Sequence, residues 1–143
     1  MKNLPNEADK RFVAILNKKM DLGRTLNVLG HISVGLSNLL DPNDAIYIDY
    51  CDLDNNHYKN ICHYPFIVLK ADNSNKIRKL KELAESKEVK FTVFTHTMID
   101  GGSEIQQSRT KQTSESELNY LGICLFGDTD VIKNLTKKFS LYK

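Results

Sequence analysis

The stretch RFVAILNKKMDLGRTLNVLGHISVGL, residues 11–36, decides the fold. Its first seven residues, RFVAILN, are an apolar run of strand length. KKMDLG then turns the chain. From there Leu22, Leu26, Leu29, Ile32, Leu36, Leu39 and Leu40 recur mostly in steps of three and four, which predicts a helix with those residues on its core face. Asp21 is placed to cap it. Asp41-Pro42 ends it, because a residue before proline avoids the α region.

Downstream, AIYIDYCDL (45–53) reads as a second strand and DNNHYKN (54–60) as an excursion or hairpin loop. PFIVLKA (65–71) is a third strand, with Pro65 tolerable at its start. Asn73-Ser74 opens a helix with Ile77, Leu80, Leu83 and Ala84 on one face and lysines on the other. KFTVFTH (90–96) and NYLGICLFG (119–127) are further strands. DTDVIKNLTKKF is a final helix with Asp128 at its start and lysines in its last turn, each favourable to the helix dipole. SLYK closes as an edge strand. Residues 100–117 are polar and begin at Gly101-Gly102; they read as a mobile loop or a short surface helix.

Strands alternating with helices predict one α/β domain. We expect a three-layer α/β/α arrangement over 11–143: a mixed four- to five-stranded sheet with helices on both faces, preceded by a loose arm at 1–10. The strands after residue 65 are near-continuously apolar, as a sheet covered on both faces requires.

At 143 residues the chain is long enough to bury a core without disulfide or metal. A net charge of +2 gives no field that by itself implies nucleic acid. No apolar run reaches membrane-spanning length, and MKNLPNEADKRF lacks the apolar core of a secretory signal. Cys51, Cys62 and Cys124 are an odd, unpaired set, the expectation for free thiols in a reducing cytoplasm.

The order of the pieces resembles type 2 peptidyl-tRNA hydrolases. RFVAILN with MDLGRTLNVLGHISVGL resembles their opening strand, glycine-basic turn and histidine-bearing helix. PFIVLKADNSNKIRKLKELAES resembles their next strand and helix, and LNYLGICLFGDTDVIKNLTKKFSLY their closing strand, helix and strand. ELNYLGICLFG and VIKNLTKKFSL further resemble the bacterial "domain of unknown function 2000", whose members share that fold. The resemblance spans roughly residues 11–143, with 41–64 and 97–116 poorly matched. It implies a hydrolase-like scaffold and a dimer. It also implies which residues would act. The hydrolase lysine after the helix-opening glycine corresponds to Arg24, its glutamine to Val28, its histidine to His31. The aspartate after the fourth strand corresponds to His96, flanked by Thr95 and Thr97. Arginine in place of a compact ammonium is not conservative at a precise site.

Three functions follow. The first is a non-catalytic protein-binding or regulatory module, such as an inhibitor of a partner enzyme, using Arg24 and His31 at the cleft together with Glu104, Gln106, Gln107, Arg109 and Lys111 of the 100–117 segment. The second is hydrolysis of peptidyl-tRNA or a related ester, with Arg24 holding an anion, His96 as general base and Thr95 or Thr97 supplying a hydroxyl. The third is small-molecule or nucleotide binding. The plainer alternative for these residues is Arg24 on the surface of the first turn and His31 buried and hydrogen-bonded. tRNA is a partner only under the second function. No cofactor and no metal site is expected. Cys51, His57, Cys62 and His63 lack the close ligand pairs of a zinc site. DLDNNH (52–57) starts like a calcium loop but has His57 at the required glycine and His63 at the terminal glutamate. The lysines of 76–81 and 133–138 read as solvated helix faces that an acidic partner could use.

Overall fold

A computed structural model of the chain describes residues 3–143. The first two residues of the expected arm lie outside the described ones. Pro5 and Asn6–Asp9 run against the body: the Pro5 carbonyl is 2.8 Å from His63 Nε2, and Thr129 N–H donates to the Asp9 carbonyl at 2.9 Å.

The elements are β1 (Lys10–Asn17), α1 (Leu22–Leu39), β2 (Tyr47–Cys51), β3 (His57–Cys62), β4 (Phe66–Ala71), α2 (Ser74–Ser86), β5 (Lys90–Thr95), α3 (Ser103–Lys111), β6 (Tyr120–Asp128), α4 (Thr129–Thr136) and β7 (Ser140–Leu141). Single 3-10 turns at His96–Met98 and Glu115–Glu117 flank α3. Five strands form one mixed sheet in the order β5-β6-β1-β4-β7, with β1 parallel to β4 and the other neighbours antiparallel.

Alternation along β1 builds two cores at once. Phe12, Ala14 and Leu16 point to one face and pack with Val28, Ile32 and Leu36 of α1. Val13 and Ile15 point to the other and pack with Ile77 and Leu80 of α2 and Ile132 of α4. Each fully buried aliphatic side chain contributes about 1.5–3 kcal/mol of transfer free energy, so this central strand anchors both layers. The caps are local. Asp21 accepts the Arg24 N–H at 2.8 Å, and Asn73 accepts the Lys76 N–H at 3.0 Å.

Three expectations are corrected. On α2, Leu83 is exposed beside the buried Ile77, Leu80 and Ala84. The core face of α1 is Thr25, Val28, Ile32 and Leu36, while Leu22, Leu26 and Leu39 are exposed. The helix is rotated because Val28 and Ile32 fit over Gly122 of β6, where a Cβ would stand 2.8 Å from Val28 Cγ1. The second strand does not enter the main sheet. β2 and β3 form their own antiparallel ribbon, with the Asp52 carboxylate organising its turn. Asp52 accepts from the N–H groups of Asp54 and Asn56, the Asn56 amide and the Tyr58 hydroxyl, and the Tyr58 bond leads in drawing its pKa down to about 2. The acidic loop is therefore a self-bonded turn.

Candidate functional site

Arg24, Asn27, His31 and Gly35 lie on α1 at steps of three, four and four, on a stripe beside its core face. Thr92, Val93 and Phe94 of β5 run beneath that stripe. Met98, Ile99 and Asp100, with Gln106 of α3, make the opposite wall. Together they enclose an open cleft of about 400 Å³. Its lining mixes apolar Ile32, Val93, Phe94, Met98 and Ile99 with polar Arg24, Asn27, His31, Asp100 and Gln106. The His31 ring lies 5.7 Å from the Phe94 ring, tilted by 35°. The buried alternative for His31 is thereby corrected: the ring is exposed and leans on an apolar neighbour.

The wall carrying Asp100 is built by its own hydrogen bonds. Asp100 and Gly101 are both left-handed, with φ of 58° and 79°. Arg109 reaches back from α3, donating to the carbonyls of Thr97, Ile99 and Asp100. Gln106 Nε2 donates to the Gly101 carbonyl at 3.0 Å. Those bonds hold a non-glycine residue in a conformation that L side chains seldom adopt, and such strain gathers at functional sites. Among the described residues, neither the Arg24 guanidinium nor the Asp100 carboxylate takes part in an ion pair.

The other candidates are dispersed. His96 does not line the cleft: its N–H donates to the Asn119 carbonyl at 2.9 Å and its Nδ1 accepts the Asn119 N–H at 3.0 Å, tying it to the start of β6. Thr95 and Thr97 are buried, their hydroxyls 2.7 Å apart, with the Thr110 hydroxyl 2.8 Å from that of Thr97. The one cleft hydroxyl, on Thr92, donates to the Ile32 carbonyl at 2.7 Å. Gln107 and Lys111 border an adjoining shallow depression that shares Met98 and Gln106 with the cleft, and Glu104 is exposed in the first turn of α3. Cys124 is buried in β6, and burial pushes its thiol up to about 12. No group of three metal-ligating side chains occurs among the described residues.

Sequence reasoning missed Asn27 and Asp100 as cleft residues. Asn27 was readable, since it sits three residues after Arg24 and four before His31. Asp100 was marked only by the Asp-Gly-Gly step, and its arrival at the cleft depends on the length of the turn after β5.

A family model described as "Protein of unknown function (DUF2000)" matches residues 10–143. No curated protein matches the chain. A solved structure of a protein of unknown function from Agrobacterium tumefaciens strain C58 is similar, with a TM-score of 0.80 at 18% identity over 94% of this chain and 98% of that one. At that identity the likeness shows a shared fold and nothing about activity.

Proposed function

From the premise that the chain belongs to the DUF2000 family, we propose that it is a non-catalytic binding module, on a scaffold like that of type 2 peptidyl-tRNA hydrolases, which takes a segment of a partner protein into the Arg24 cleft. The observation that carries this reading is the state of the hydroxyls and of His96. A hydrolytic site needs a base within reach of the proton it removes. Here His96 is held against Asn119 outside the cleft, and the hydroxyls of Thr92, Thr95 and Thr97 are already hydrogen-bonded. Besides the His31 ring and the Asp100 carboxylate, the cleft offers recognition chemistry. Arg24 supplies a planar fork for a carboxylate, Asn27 and Gln106 supply amides, and Phe94, Met98 and Ile99 supply apolar contacts.

The test is affinity capture from native lysate with the parent chain and Arg24→Ala side by side, read by quantitative mass spectrometry. One protein retained by the parent and lost from the variant is the expected outcome. Identical retention on both overturns the reading.

Asp100 favours a second reading. A carboxylate and a cationic side chain lining one cleft are groups that an ester hydrolase would use to orient water. That reading requires turnover of a peptidyl-tRNA ester that Asp100→Asn abolishes.

A further inference from the structure

The two lysine runs, distant in the chain, meet in space. α2 and α4 lie together on the face of the sheet opposite α1, and between them runs a groove of about 460 Å³. Its floor is Leu80, Leu83, Leu135 and Phe139. Lys76, Lys79 and Lys87 rise on the α2 side, Lys137 and Lys138 just beyond the end of α4. No carboxylate lines it, and Asn134 is its one uncharged polar residue. Lys76 pairs with Asp72 at 3.1 Å; among the described residues the other four lysines take part in no ion pair.

We propose that this groove docks an acidic amphipathic helix of a partner protein. Leu83 is 49% exposed at the groove while Leu80 and Leu135 are buried beneath it, so an apolar side chain entering from outside finds an apolar floor. Any occupant must also answer four unpaired like charges, which steer a partner of opposite sign and repel one of the same sign. A helix with leucines at i, i+3, i+4 and i+7, flanked by glutamates, supplies both, and two neighbouring helices offer the ridges that a third packs against. A bilayer surface fits less well, because Leu80 and Leu135 are buried and Phe139 is half-buried, which leaves Leu83 alone to insert. Nucleic acid fits less well too, because Phe139 is the one aromatic ring on a floor otherwise of leucines and no arginine lines the groove. The groove is separate from the Arg24 cleft, and the proposal stands or falls without it.

The experiment is fluorescence anisotropy of the full chain against a labelled helical peptide of that leucine–glutamate pattern at low salt. Saturable binding is expected, weakening as salt rises. The double variant Lys79→Glu/Lys138→Glu and the single variant Leu83→Asp are each expected to weaken it roughly tenfold or more. All three positions are exposed, so melting temperatures should match the parent and separate lost binding from lost folding. The absence of saturable binding overturns the proposal. So does equal binding by a peptide with lysines in place of the glutamates, an unchanged affinity in either variant, or displacement of the peptide by anionic vesicles or duplex RNA at lower concentration.

Discussion

At Glu88 the backbone is left-handed, with φ of 55°. It follows the Lys87 cap of α2, and two bonds close the helix end there: Glu88 N–H to the Glu85 carbonyl and Val89 N–H to the Ala84 carbonyl. This is the position where helices favour glycine, since a Cβ costs about 1–2 kcal/mol in that conformation. Glu88→Gly is therefore expected to stabilise the fold by about 1 kcal/mol, read as a rise in urea midpoint; a fall would show that the Glu88 side chain contributes something its conformation does not. Asp100 shares the conformation but lines a cleft. Asn tolerates left-handed backbone as Asp does, so Asp100→Asn should leave the urea midpoint within about 0.5 kcal/mol of the parent while changing what the cleft binds. Neither residue's backbone was legible in the sequence. At Glu88 the left-handed turn is closed by backbone bonds to Glu85 and Ala84, which any residue can make, so no side chain in the sequence marks it.

Among the elements, α1 shows what periodicity conveys and what it leaves open. The apolar steps correctly indicated a helix from Leu22, and Asp21 correctly indicated its cap. They did not select its buried face, because Leu26 and Val28 are equally apolar. The choice was made by the shape of β6, where Gly122 admits Val28 and Ile32. Gly122→Ala is expected to destabilise by about 1–3 kcal/mol, because the added methyl enters a packed core and α1 must lift; thermal or urea unfolding reads it. The same rotation turned Arg24, Asn27 and His31 into a stripe beside the core, so the cleft follows from the packing of one glycine. The β2–β3 ribbon was half legible. A hairpin loop was read at DNNHYKN (54–60), but His57–Asn60 belong to β3, and no sequence feature said that the ribbon would pair with itself and leave the main sheet. Asp52→Ala removes the acceptor for four donors. It should speed amide exchange in the ribbon turn while amides of β1 and β6 remain protected.

For the whole molecule, the layered α/β architecture was legible because β1 and β6 are apolar on both faces and the helices between strands are amphipathic. That Arg24 and Asp100 line one cleft was not, since only the tertiary fold brings them to it. Global stability carries its own pH signature through Glu115 and Tyr120. The Tyr120 hydroxyl and then Arg78 hold the Glu115 carboxyl below its ordinary 4.5. Its contribution is therefore present above that value and is lost as the pH falls below it. Burial, then the Glu115 bond, pushes Tyr120 from 10 up to about 12, so its contribution is present below pH 10 and is lost as the pH climbs toward 12. In urea midpoints measured against pH, Glu115→Gln should flatten the acid limb and Tyr120→Phe the alkaline limb.

The central claim is that the Arg24 cleft binds and does not cleave. It is tested most directly by incubating the purified chain with peptidyl-tRNA and measuring peptide release against buffer, with Arg24→Ala and Asp100→Asn alongside. Release at the buffer rate is expected for all three proteins. Release by the parent well above buffer, lost in either variant, would contradict it.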